Sequence, residues 1–281
     1  VPFTGYVYEL YQKARGATQL VEKITYDKQF EALLDKAKVD QGGIRGNIWC
    51  ALDTSGSMQQ EVARATNPGR LEIDVAVSLA IYFSGLNEGA FKDHVISFDS
   101  RSKMKELKGS FVDKCQQAMG WGSMGSTNFQ SVIDEICRVR NNNTSIPLED
   151  FPETLLVVSD MQFNPAERGA AWSNRRDYGS DKYIQEAKTN AEVAQNKLAQ
   201  VGLPPMQFIW WNVNCHYGKD VPVKMDDVGM SIMSGFDASI ISVILGGDPQ
   251  ERRFDRKELS PIETMKLALD QEVLNQLKVS A

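Results

Sequence analysis

The sequence has little that would support histidine catalysis or thiolate metal binding. Its two histidines, His94 and His216, are far apart in the chain and form no recognisable catalytic pair. Its four cysteines include no C-x-x-C pair, which is the spacing typical of zinc sites and thiol redox sites. These absences disfavour zinc-thiolate proteins, disulfide oxidoreductases and histidine-dependent hydrolases.

A long apolar run is also missing. No segment approaches the roughly 18 consecutive apolar residues of a membrane helix, and the sequence does not open on a charged and then apolar leader. We therefore expect no membrane partner. Cys50 and Cys137 fall in strand and helix patterns that suit packing better than disulfide pairing, so we expect an intracellular, cytoplasmic location. Because the first residue is Val1 rather than methionine, we expect upstream sequence to be missing.

The composition is that of a folded globular protein. Of 281 residues, 42% are hydrophobic and 24% are charged, which is ample for a full core and argues against disorder. The formal net charge of −6 repels nucleic-acid phosphates and anionic membranes. Binding to either would require a local basic patch.

The chain divides into a short helical part and a larger domain. Apolar residues recur at helical spacing between Tyr26 and Ala37, and a glycine-rich stretch at 42–46 ends that pattern. We predict a helical N-terminal segment over residues 1–46, as the end of a missing upstream region. One domain over residues 47–281 follows it.

Strand and helix patterns alternate through this domain. Strands are predicted at 47–52, 94–98, 103–107, 154–159, 206–211 and 229–234, and helices at 71–86, 111–119, from 129, at 182–201, at 237–245 and after Pro261. This alternation predicts an α/β fold with a Rossmann-like, open, mostly parallel sheet and helices on both faces. Ligands of such folds bind at the carboxyl ends of the strands, which directs attention to the loops after Leu52 and Ser159.

The loop after the first strand is rich in oxygen ligands. It reads Asp53-Thr54-Ser55-Gly56-Ser57-Met58, in which Asp53, Ser55 and Ser57 alternate toward one point and Gly56 permits a tight turn. A carboxylate with hydroxyls suits Mg²⁺, which prefers oxygen ligands and tolerates retained waters. The alternative is a helix-capping turn, because Asp, Ser and Thr commonly cap helices.

Two further loops carry the same chemistry. Thr127 lies just before a predicted helix, in the run Gly125-Ser126-Thr127, and Asp160 ends the predicted strand at 154–159. The pattern Asp-x-Ser-x-Ser, a later Gly-x-Thr and a later strand-end Asp resembles the metal-ion-dependent adhesion site of von Willebrand factor A domains. The resemblance extends from about Asn47 to Gly247.

That resemblance implies a site and a function. Ser55, Ser57 and Thr127 would bind Mg²⁺ or Mn²⁺, and Asp53 and Asp160 would bind it directly or through water. The expected function is a binding module, not an enzyme, in which an Asp or Glu carboxylate of a protein partner completes the coordination. The enzymatic alternative is a phosphatase of the haloacid-dehalogenase kind, which needs a second Asp where Ser55 stands.

An arginine-rich segment provides a second candidate surface. It follows Asp160 and contains Arg168, Trp172, Arg175, Arg176 and Tyr178. Arginine with aromatic residues suits protein recognition and also single-stranded nucleic acid. With its upstream helical part, the chain is also similar to the Ro ribonucleoprotein autoantigen family and to uncharacterised plant and viral proteins. An RNA- or ribonucleoprotein-associated function is therefore the alternative to a protein-binding module. The arginine-rich segment itself could also be a solvated surface loop without a binding role.

Two smaller features have mainly structural interpretations. Trp210 and Trp211 are adjacent in a predicted strand, so they point to opposite faces, and we expect core packing rather than base stacking. Asp99 follows the predicted strand at 94–98, where it is expected to form a turn; the alternative is that it approaches the metal from outside the direct ligands.

Overall fold

The computed structural model describes residues 5–40, 46–59, 71–121, 128–160, 181–213 and 230–235. Its strands are β1 Asn47–Asp53, β2 His94–Phe98, β3 Met104–Glu106, β4 Pro152–Ser159, β5 Gln207–Asn212 and β6 Met230–Ser234. Its α-helices are α1 Val7–Arg15, α2 Leu20–Asp40, α3 Glu72–Leu86, α4 Phe111–Met119, α5 Phe129–Asn142 and α6 Asp181–Gln200. The helices predicted at 237–245 and after Pro261 lie outside the described residues.

The strands form one sheet in the order β3-β2-β1-β4-β5-β6. All neighbouring pairs are parallel except β2 and β3, which are antiparallel at one edge. From β1 the chain continues to β2 on one side, and β4 lies on the other side of β1. The strand order therefore reverses between β1 and β4, and this is where an open α/β sheet binds ligands. The predicted fold class is confirmed.

The two faces of the sheet pack into separate cores. Cys50 and Leu52 of β1 face a core shared with α1, α2, α3 and α4, while Trp49 and Ala51 face a core shared with α5 and α6. Trp211 lies in the first core and Trp210 in the second, and both are buried. The expectation of core packing for this pair is confirmed.

Helices α1 and α2 form one hydrophobic core with the sheet. The sequence predicted a single helix between Tyr26 and Ala37, whereas the structure has two. α1 is short, and Tyr6 at its start provides no side-chain cap, so two of the usual sequence signals are weak or missing. Its Leu10 and Ala14 are fully buried against α3 and α4.

Helix α3 is fixed at both ends. Asp74 near its start is fully buried, forms an ion pair with Arg15 of α1, and accepts a hydrogen bond from Gln12 Nε2 at 2.8 Å. Asn87 just after its end exchanges two hydrogen bonds with the backbone of Ile48 in β1, at 2.7 and 2.8 Å. The orientation of α3 relative to β1 is therefore tightly constrained.

The edge strand β3 is held by a carboxylate from α5. Glu135 is 3% exposed, accepts a hydrogen bond from the Met104 backbone N–H at 2.8 Å, and pairs with Arg138 at 2.6 Å. These donors lower the pKa of Glu135 despite its burial, which opposes them. A buried acid that is paired in this way stays charged.

The cysteines whose positions are described are free thiols. Cys50 and Cys115 are buried and Cys137 is half-buried, and burial raises the pKa of each thiol. We predict that the unfolded, unreduced protein takes up four alkylating groups, one for each cysteine of the sequence. Mass spectrometry measures this directly, and an uptake of two or fewer would show that a disulfide is present.

Within the described residues, no helix is both long enough and apolar enough to cross a lipid bilayer.

Candidate functional site

Asp53 is the central residue of the site. It is the last residue of β1 and is fully buried, because β1 lies between β2 and β4 in the middle of the sheet. Its Oδ1 accepts a hydrogen bond from the Ser55 backbone N–H at 2.9 Å, and its Oδ2 accepts one from Ser159 Oγ at 2.7 Å. The carboxylate thus connects the ends of two adjacent strands.

Burial raises the pKa of Asp53 above its usual value. The hydrogen bonds from Ser159 and Ser55 oppose this shift, and the nearby charge of Asp160 adds to it. A buried carboxylate with a second carboxylate nearby is stabilised by any cation that reaches it.

The two serines of the loop lie side by side. Ser55 Oγ and Ser57 Oγ are 3.0 Å apart, and both residues are half-buried. Residues Gly56–Gln59 form a 3₁₀ turn, so the tight turn predicted at Gly56 is present. Its φ angle is not positive, so the backbone there does not require glycine. Gly56 is exposed, and apart from its two chain neighbours no described atom would lie within 4 Å of a Cβ added there.

Asp160 belongs to the same end of the sheet. It directly follows β4 and is 3% exposed, and its charge acts on Asp53. The structure thus brings together four of the five predicted metal ligands, namely Asp53, Ser55, Ser57 and Asp160. Thr127, the fifth, lies outside the described residues, although Asn128 beside it caps α5 by accepting a hydrogen bond from the Ser131 backbone N–H at 3.0 Å.

A third carboxylate, Glu72, was not predicted from the sequence. Glu72 is the first residue of α3 and is fully buried, and neither of its carboxylate oxygens has a hydrogen-bond partner in the described part of the chain. Burial, followed by the charges of Asp160 and Asp53, raises the pKa of Glu72 to about 7. A glutamate in the first turn of a helix is usually exposed and interacts with the helix dipole, so the position of Glu72 did not predict a buried site residue. The signal in the sequence was that the rest of α3 is almost entirely apolar, which indicates a buried helix.

The donor set fits a hard divalent cation. Two buried carboxylates and two adjacent hydroxyls are oxygen ligands of the kind that Mg²⁺ and Mn²⁺ prefer. No three His, Cys, Asp or Glu side chains in the described ranges converge closely enough to hold an ion by themselves. A site of this composition would therefore rely on hydroxyls and retained waters as well as on carboxylates.

The arginine-rich segment, with Arg168, Trp172, Arg175, Arg176 and Tyr178, lies outside the described residues. Asp99 forms the expected turn, because its Oδ1 accepts a hydrogen bond from the Arg101 backbone N–H at 2.6 Å.

Residues 49–277 match the sequence model of a protein family described as "Domain of unknown function (DUF7788)". The chain belongs to this family. The match begins inside β1 and includes every acidic and hydroxyl residue of the site.

This DUF7788 chain also has a viral relative. The chain is 24% identical over 268 residues to the uncharacterized protein L728 of Acanthamoeba polyphaga mimivirus, and the alignment covers 94% of this chain and 40% of the viral protein. The chain thus spans less than half of the length of this relative.

Two solved structures show a distant likeness. The Ro (RSR) protein of Deinococcus radiodurans is 15% identical with a TM-score of 0.43, over 85% of this chain and 46% of that one. The conserved hypothetical protein BatB of Bacteroides thetaiotaomicron is 12% identical with a TM-score of 0.40, over 79% of this chain and 98% of that one. These values say nothing about activity or ligands.

Proposed function

We propose that this chain is a binding module that depends on a divalent cation. In this proposal Asp53, Ser55, Ser57, Thr127 and Asp160 hold Mg²⁺ or Mn²⁺, and an Asp or Glu carboxylate of a partner protein completes the coordination. The observation that carries the proposal is the arrangement around Asp53, whose carboxylate is buried at the switch point of the sheet and hydrogen-bonded to the neighbouring strand. The hydroxyls of Ser55 and Ser57, 3.0 Å apart, supply neutral ligands on the more exposed side.

The charge of the site sets how strongly it attracts a carboxylate. If Asp53 and Asp160 both bound the ion directly, they would neutralise it and leave little attraction for a partner's acid. If Asp160 acts through water, the ion keeps a net positive charge at close range, and the partner supplies the missing negative charge. The affinity for the partner then depends on which arrangement is populated.

Binding accounts for these residues better than catalysis does. A phosphatase of the haloacid-dehalogenase kind uses two aspartates in this loop, and Ser55 occupies the second position. In this proposal a partner side chain approaches the hydroxyls from the side of Gly56, which is exposed and lies between the two serines in sequence.

The experiment is capture of partners from cell extract by the immobilised chain, in Mg²⁺ and in EDTA, with both protein and RNA identified. We expect a protein partner that is retained in Mg²⁺ and lost in EDTA. Retention of RNA in both conditions would contradict the proposal and favour the alternative of an RNA-associated function.

Thr127→Ala is expected to weaken capture of this partner by about tenfold or more while leaving the melting temperature nearly unchanged, because it removes one neutral ligand of the ion. Thr127→Ser retains the hydroxyl and serves as the matched control. Capture that persists in both EDTA and Thr127→Ala would place the partner surface elsewhere, and the segment from Arg168 to Arg176 would be tested next.

A further inference from the structure

The negative charge of the Glu72 carboxylate is buried and is not compensated by any described residue. A buried carboxylate is normally compensated by a cation or by several hydrogen bonds. Two buried acids away from the site show this: Asp74 has Arg15 and Gln12, and Glu135 has Arg138 and the Met104 backbone N–H. Glu72 is fully buried, and neither of its oxygens has a hydrogen-bond partner in the described residues.

The surroundings of Glu72 increase this imbalance. Glu72 begins α3, which packs against β1 and the turn Gly56–Gln59 of the site. The described charges that act on Glu72 are those of Asp160 and Asp53, and both are negative. A movement of α3 that relieved the repulsion would break the hydrogen bonds of Asp74 near its start and of Asn87 just after its end. The energetic cost is therefore imposed by the fold.

We infer that Glu72 is a third acidic residue of the proposed cation site and positions the ion's retained waters. This inference rests on the proposed function, because it assigns Glu72 to the same ion. Since no three acidic side chains among the described residues converge closely enough to hold an ion by themselves, Glu72 acts through water rather than as a direct ligand. Mg²⁺ commonly retains several waters, and a carboxylate that accepts hydrogen bonds from them strengthens metal binding.

The substitution Glu72→Gln separates this role from ordinary packing. Glutamine has nearly the same shape but no charge, so in EDTA it removes the repulsion from Asp53 and Asp160. Because glutamine removes a buried charge that has no hydrogen-bond partner among the described residues, we expect the metal-free variant to melt about 3 °C or more above the wild type. With Mg²⁺ or Mn²⁺ alone as the probe, we expect calorimetry to show about 10- to 100-fold weaker binding.

Glu135→Gln is the matched control. It also neutralises a buried glutamate in a helix, but that glutamate is paired with Arg138 and lies against β3. We expect this variant to melt below the wild type and to bind the cation with unchanged affinity.

The outcomes distinguish the two proposals. If the wild type binds neither Mg²⁺ nor Mn²⁺, the proposed function fails. If the wild type binds the cation and Glu72→Gln binds it equally well, the proposed function stands and the role of Glu72 is refuted. A lower melting temperature of Glu72→Gln in EDTA would likewise refute it, because Glu72 would then stabilise the fold without the ion.

Discussion

Replacing Asp53 by alanine is expected to abolish binding of Mg²⁺ and Mn²⁺ while the chain remains folded. Asp53 contributes the fully buried carboxylate at the centre of the site, and the hydroxyls that remain carry no charge to balance a divalent ion. Its removal also leaves Ser159 Oγ and the Ser55 backbone N–H without their acceptor. Calorimetric titration with each metal measures the loss, and circular dichroism verifies the fold.

Asp99→Ala is the control for this loss. Asp99 directly follows β2, the strand next to β1, and its carboxylate accepts a hydrogen bond from the Arg101 backbone N–H within its own turn. Removing it changes the charge of the chain by the same amount at the same end of the sheet. We expect normal cation binding by this variant. Equal affinities of the wild type and Asp53→Ala would rule out the site.

Replacing Arg15 by methionine is expected to destabilise the fold by about 2–3 kcal/mol. Asp74 is fully buried, and burial raises the pKa of its carboxyl against the opposing effects of Gln12 and Arg15. Without Arg15, Asp74 retains the hydrogen bond from Gln12 but loses its cation. The expected loss lies below the usual range for a broken buried pair, because the Arg15 side chain is 30% exposed and water screens part of the interaction.

Chemical denaturation measures the loss in the free energy of unfolding. Two further variants serve as controls. Lys28→Met breaks the surface pair between Lys28 and Glu31, whose side chains are 73% and 60% exposed, and should leave the free energy of unfolding unchanged. Arg15→Met combined with Asp74→Asn should recover part of the loss, because no buried charge is then left without a cation. If Arg15→Met alone unfolds like the wild type, α1 is not held to α3 through this pair.

The sheet was predictable because its central strands are buried on both faces. β1, β4 and β5 are nearly continuous apolar runs bounded by polar or turn residues, and each was placed to within one or two residues. Helix α1 was not predicted, because its nine residues are stabilised by packing against α3 and α4 rather than by capping or length. Contacts between segments distant in sequence leave little local signal.

The site was predictable to the extent that its residues follow strands. Asp53 and Asp160 each end a strand, and adjacent parallel strands bring their carboxyl ends together. Glu72 begins a helix instead, and its proximity to both aspartates depends on how α3 packs on the sheet. Similarly, the hydrogen bond from Ser159 to Asp53 depends on the alignment of β4 with β1, which no local pattern specifies.

Helix α3 also bears on the order in which the chain folds as it is synthesised. Every residue of α3 except Ile73 is buried, so other elements pack against its outer side as well as against the side that faces the sheet. One of these elements is α1, which precedes α3 in the sequence and therefore leaves the ribosome first. When the apolar segment of α3 emerges, its partner helix is already available to shield it from other nascent chains. A circular permutation that moved α1 to the carboxyl terminus would reverse this order and expose α3 until translation ended.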